Sequence, residues 1–154
     1  MQAHRLNAYD AAPDAMKALQ NVEAYLHQCG LDKKLIELVK MRTSQINGCA
    51  YCLDMHSKDL RRLGETEQRI YLLNAWEESP LYTPRERAAL AWTEALTLIA
   101  QTHAPDAVYD QVRPHFTSKE LVDLTTLIGM INLWNRLAIS LRYEHSVSAA
   151  AAAA

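Results

Sequence analysis

The chain has 154 residues, enough for one domain with a proper core. Sixteen Lys and Arg against eighteen Asp and Glu leave a net charge of −2, so nothing electrostatic points to nucleic acid or an anionic membrane as partner. Four glycines and five prolines are too few turn-formers for a many-stranded sandwich or barrel, and 49% hydrophobic with 22% charged residues excludes a disordered chain.

Helical spacing runs almost throughout. Pro13 suits a first helical turn, Met16, Leu19, Val22 and Leu26 recur at steps of three and four, and Gly30 stops the helix. Asp32 can cap a second helix whose apolar face is Leu35, Leu38, Val39, the Arg42 stem and Ile46, broken at Asn47-Gly48. The flanks of that dipeptide do not alternate, so it predicts a helix–helix corner rather than a hairpin. A third helix is expected from Cys49 to Leu63, with Gly64 past its end. A fourth runs from Thr66 through Ile70, Leu73 and Trp76 to Ser79-Pro80. Thr83-Pro84-Arg85-Glu86 is a capping box that opens a fifth helix through Leu90, Leu96 and Ile99. A short helix follows Pro105 and ends near Pro114, and Thr117-Ser118-Lys119-Glu120 is a second capping box, opening the longest helix, to Tyr143. Leu121, Leu124, Leu127, Ile128, Ile131, Leu133, Trp134, Leu137 and Leu141 cover more than one face of it, which predicts a central or subunit-interface helix. Asn132, Asn135 and Arg136 on the same helix need partners, and are expected to anchor helix ends or a subunit contact.

These elements predict one all-α domain of about six or seven helices over residues 1–148, with an uninformative alanine tail at 149–154. Met1–Tyr9 has no apolar leader region, and no apolar run reaches about 18 residues, so a cytoplasmic protein away from membranes is expected. Cys29, Cys49 and Cys52 are too few, and odd in number, for a secreted disulfide scaffold. No Gly-rich nucleotide fingerprint is present, so no cofactor is expected. Cys29 is read as a free or buried thiol, and His4, His27, His103, His115 and His145 share no ligand spacing.

The chemistry concentrates in Cys49-Ala50-Tyr51-Cys52-Leu53-Asp54-Met55-His56. At 100° per residue, Cys52 lies about 60° and His56 about 20° from Cys49, so all three share one helix stripe. Amide dipoles at a helix start stabilise a thiolate, the nucleophilic form of cysteine. Glu37 joins by an argument from length. In one straight helix it would lie about 18 Å from Cys49. Folding back at Asn47-Gly48 instead brings it level with His56, about 12–15 Å below the corner, with the cysteines above. The expected chain is Glu37 to His56 to the thiols: the carboxylate fixes the imidazole, and the imidazole accepts a thiol proton. Structural zinc on Cys49, Cys52, His56 and Glu37 is the main rival, although there is no second CxxC or HxxxH.

Glu37, eleven residues, then Cys49-x2-Cys52-x3-His56 resembles the motif of the alkyl hydroperoxidase D-like proteins in the carboxymuconolactone decarboxylase superfamily. The segments Thr83 to Leu90 and Ile131 to Ala138 are also similar to stretches common in its small members. The resemblance implies an all-α fold and a homo-oligomer, often a trimer or hexamer. It implies a thiol-dependent hydroperoxidase or disulfide oxidoreductase of antioxidant defence. In that chemistry Cys52 attacks a small hydroperoxide, Cys49 resolves the product as a disulfide, Glu37 and His56 relay protons, and an external dithiol restores the thiols. Tyr51 departs from the pattern: the peroxidase branch carries a further histidine just before the second cysteine, and a phenol is a poor base near neutral pH. The alternative outside catalysis is a redox-sensing or zinc-binding oligomeric module built on the same four residues.

Overall fold

The computed structural model describes residues 4–147 and is all-helical there. In chain order the helices are α1 (Ala8–Ala11), α2 (Pro13–Leu26), α3 (Lys33–Asn47), α4 (Ala50–Arg62), α5 (Glu67–Tyr71), α6 (Pro84–Thr97), α7 (Ile99–Thr102), α8 (Asp106–Val112) and α9 (Ser118–Leu141). Short 3₁₀ turns cover Leu73–Ala75 and Arg113–His115. Six of these helices have seven residues or more, in agreement with the sequence expectation. The expected alanine tail lies outside the described residues. No described helix is long and apolar enough to cross a membrane.

The helix starts follow local chemistry. The Asp32 carboxylate accepts the Leu35 N–H at 3.0 Å and caps α3. Both capping boxes form: Thr83 exchanges bonds with Glu86 at the start of α6, and Thr117 with Glu120 at the start of α9.

Three stretches differ from the expected pattern. The fourth helix is not continuous: α5 stops at Tyr71 and the chain tightens into the 3₁₀ turn before Trp76. Ile70, Leu73 and Trp76, all buried, are spaced by three, which matches three residues per 3₁₀ turn better than 3.6. The fifth helix ends at Thr97, and Ile99 starts the separate α7 with its side chain exposed. The single turn α1 has no periodicity long enough to announce it; Asn7 caps it by accepting the Tyr9 N–H at 3.0 Å.

α3 lies at the centre and packs on α4, α6 and α9. Its neighbouring positions enter different cores. Leu35, Ile36 and Val39 join Leu26, Ala89, Leu124 and Ile128, whereas Leu38 and Met41 join Leu60, Leu73, Trp76 and Leu90. Each fully buried leucine contributes about 1.5–3 kcal/mol relative to exposure, so a helix buried on two sides is fixed in rotation and in height. α9 packs across α3, α6, α4 and α2, the central position its broad apolar surface predicts, while Val122 and Ile139 remain exposed.

Candidate active site

The site is assembled at the corner between α3 and α4. Gly48 takes the left-handed conformation (φ 69°). The Gly48 N–H then bonds the Gln45 carbonyl at 3.3 Å, and the Cys49 N–H bonds the Ser44 carbonyl at 3.0 Å. This turn reverses the chain and makes Cys49 the cap of α4, where its Sγ accepts the Cys52 N–H at 3.4 Å. Both thiols are free and buried, and both pack against Ala138 of α9.

The asparagines of α9 lock the corner. Asn47 donates to Asn132 at 3.0 Å and to Asn135 at 2.9 Å, and Asn135 donates to Ser44 at 3.1 Å. Asn132 and Asn135 therefore anchor the end of α3, as their placement on an apolar helix implied. Arg136 bonds back to the Asn132 carbonyl at 2.9 Å.

Below the sulfurs, the fold-back brings Glu37 and His56 together. His56 Nδ1–H donates to Glu37 Oε2 at 2.8 Å, with both side chains buried. The other ring nitrogen, Nε2, is buried without a hydrogen-bond partner among the described residues. Two groups that sequence reasoning missed complete this layer. Lys40, one turn beyond Glu37 on the same helix, is buried with its ammonium 3.9 Å from Glu37 and bonded to Glu23 of α2. Its i, i+3 spacing from Glu37 was visible in the sequence; the arrival of Glu23 from another helix was not. Burial favours the neutral form of Glu23, but the Lys40 charge and hydrogen bond outweigh it, and the carboxyl is held below its ordinary value.

A cavity of about 290 Å³ joins the two layers. Cys52 and His56 line it beside Tyr51, Ile131, Trp134 and Tyr143; Cys49 does not. A wider groove of about 790 Å³ between α8 and α9 is lined by no thiol, histidine or carboxylate.

Acidity and access point to different sulfurs. The Cys49 thiol is lowered to about 7, first by the hydrogen bond from the Cys52 thiol and also by the Cys52 backbone N–H, against the opposing effect of burial. Cys52 is raised, first because its proton is held by Cys49, then by burial and by the negative charge on Cys49. The first anion belongs to the pair of sulfurs, at the positive end of α4, and of the two only Cys52 lines the cavity.

Among the described residues, Glu37, His56 and Asp59 place one ligand atom each within 4.8 Å of one another. The sulfurs stand outside that group, so the zinc set weighed from the sequence is not the one the fold gathers. Lys40 beside Glu37 opposes a cation there, and Arg62 engages Asp59 at 2.5 Å.

A helical domain with a dithiol at a helix start and a Glu–His pair beneath it has the alkyl hydroperoxidase D-like architecture. The family model described as carboxymuconolactone decarboxylase matches residues 13–95, and the chain belongs to that family. It is 45% identical over 139 residues to the uncharacterised protein YdfG of Bacillus subtilis, covering 90% of this chain and 95% of that one. A crystal structure of a protein of unknown function from Agrobacterium tumefaciens, described as a candidate antioxidant defence protein AhpD, is 46% identical with a TM-score of 0.92, covering 95% of this chain and 100% of that one. An uncharacterised peroxidase-related protein from Silicibacter sp. TM1040 is 26% identical with a TM-score of 0.79, covering 91% and 74%.

Proposed function

We propose that the protein is a dithiol hydroperoxidase in which Cys52 attacks, Cys49 resolves, and Glu37 and His56 move the proton. The observation that carries this is that Cys52 and His56 line one cavity, with His56 oriented by Glu37 and its Nε2 without a partner among the described residues. The peroxidase-related and antioxidant descriptions of the similar structures support the same class. Acidity at Cys49 and access at Cys52 are reconciled by the hydrogen bond between the sulfurs. Once one proton has left the pair, moving the other from Cys52 to Cys49 delivers the anion to the cavity side.

The chemistry balances as follows. His56 Nε2 takes the first thiol proton. The Cys52 thiolate attacks the outer oxygen of a hydroperoxide, the O–O bond breaks, and Cys52 becomes a sulfenic acid as an alkoxide leaves. The proton on His56 passes to that alkoxide, giving an alcohol. The Cys49 thiol then condenses with the sulfenic acid, expelling water and forming the disulfide. An external dithiol reduces it by exchange. The apolar walls at Ile131, Trp134 and Met55 favour an organic hydroperoxide.

The test is single-turnover reaction with cumene hydroperoxide. Cys52→Ser should abolish it. Cys49→Ser should still permit one attack and leave a sulfenic acid trapped by dimedone at residue 52. Adduct at Cys49 in the Cys52→Ser protein would reverse the roles. The exposed Val122 and Ile139 of α9 support a further part of this proposal, a homo-oligomer; light scattering at micromolar concentration should give a mass above that of one chain.

A further inference from the structure

Three buried side-chain polar atoms lack a hydrogen-bond partner among the described residues: Thr43 Oγ1, His56 Nε2 and Tyr143 Oη. Two of the three belong to residues lining the cavity that Cys52 lines. A buried, unpaired hydroxyl costs about 1–3 kcal/mol, and native structures contain few of them. Both residues line the small cavity that Cys52 lines, where a ligand is the partner that the described residues do not supply.

The backbone places Tyr143 there deliberately. α9 ends with Arg142 in the left-handed conformation (φ 59°). The Arg142 N–H bonds the Ile139 carbonyl at 3.3 Å and the Tyr143 N–H bonds the Ala138 carbonyl at 2.9 Å. A left-handed non-glycine residue costs about 1–2 kcal/mol and persists where its surroundings over-determine it. Here the N-terminal segment holds the turn: the Arg5 N–H bonds the Leu141 carbonyl at 3.0 Å, and the Arg5 guanidinium bonds the Ser140 carbonyl at 3.1 Å. The result folds the Tyr143 ring against the cysteine cluster, edge-on to Tyr51 at 5.6 Å and tilted against His4 at 5.6 Å.

We propose that Tyr143 is a substrate-binding residue whose hydroxyl donates a hydrogen bond to a peroxide oxygen in the Cys52 cavity. This rests on the hydroperoxidase reading and extends it. The phenol remains the donor: burial first, then the neighbouring Tyr9 and Tyr51, raise its ionisation above the ordinary value, so the proton stays on oxygen at neutral pH. His56 Nε2 and Tyr143 Oη then have complementary tasks. The imidazole accepts the thiol proton and returns it to the leaving oxygen, while the phenol stabilises charge growing on that oxygen and keeps its own proton.

Tyr143→Phe removes the hydroxyl and keeps the ring, hence the packing. Stopped-flow oxidation of the reduced full chain by cumene hydroperoxide is compared with alkylation of the same thiols by iodoacetamide, whose leaving iodide has no oxygen to receive the bond. The rate with peroxide should fall about 10-fold, the worth of one hydrogen bond, with the alkylation pH profile unchanged. An unchanged peroxide rate overturns the proposal. An equal fall in both reactions also overturns it, because the hydroxyl would then be acting on the thiols. A parent protein that forms no sulfenic acid or disulfide with hydroperoxide overturns the hydroperoxidase reading, and this proposal with it.

Discussion

The sulfur end and the ionic end of the site are built on the same two helices, one above the other, yet they are stabilised by different means. Around Cys49 and Cys52 the partners are neutral: backbone N–H groups of a helix start, the Asn135 amide and the Ser44 hydroxyl. Around Glu37 and His56 the partners carry formal charge: Lys40 and, through it, Glu23. Dipoles let one negative charge sit on the sulfur pair without fixing it to a counter-ion. Charges pin the imidazole and its carboxylate in one orientation. In the proposed cycle the thiols change, whereas the Glu37–His56 pair ends as it began.

The largest expected effect breaks the ionic end chemically. His56→Ala or Glu37→Gln should slow oxidation by hydroperoxide at neutral pH by about 10²–10⁴-fold, the usual size of a general-base contribution. The deficit should shrink as pH rises and solvent removes the thiol proton unaided. Stopped-flow rates across pH, with circular dichroism to confirm folding, check this. Parent-like rates and profiles in both variants would remove the relay.

A stability experiment comes next. Lys40→Met should cost about 3–5 kcal/mol at pH 7, because it leaves buried carboxylates without their cation. The sign of the pH dependence should also change. In the parent protein Glu23 is held below its ordinary value of 4.5, so its stabilisation is present above that pH and is lost as pH falls through the lower folded value. Without Lys40, burial, the largest cause, is opposed only by the Trp134 hydrogen bond and the His27 charge, and Glu23 should rise. The variant should then gain relative stability on acidification through pH 4–5, as urea denaturation would show.

At the sulfur end, Asn135→Ala should cost about 1 kcal/mol by removing its bonds to Asn47 and Ser44, which keep Asn132 and the Lys40 carbonyl as partners. It should also move the midpoint of thiol alkylation upward from about 7. The last substitution tests the corner itself. Gly48→Ala meets no atom within 4 Å of the added methyl, so its cost should be the left-handed backbone alone, about 1–2 kcal/mol.

The two turns that deliver site residues show how far the sequence could be read. Asn47-Gly48 announces a helix break, and two helix lengths measured from it put Glu37 beside His56, as the structure has them. At the other turn, Arg142 occupies the position where a glycine would have signalled a C-cap, and the bond from Arg5 that helps hold it spans almost the whole chain. Tyr143 therefore had no local signature. Glu23 was hidden for a related reason, since it reaches Lys40 from a helix whose spacing reports only its own buried face. Register along one pair of helices follows from counting residues. The meeting of a third element does not, and it is there that the charged and hydroxyl groups enter the cavity.

Cys49 is at once the proposed resolving sulfur and the group that terminates α4 at its amino end. Forming a bond to Cys52 turns an acceptor able to bear negative charge into a neutral, divalent sulfur, and the Cys52 N–H loses the better part of its partner. Under the proposed cycle, the first turn of α4 would then be tighter in the dithiol form and looser in the disulfide form.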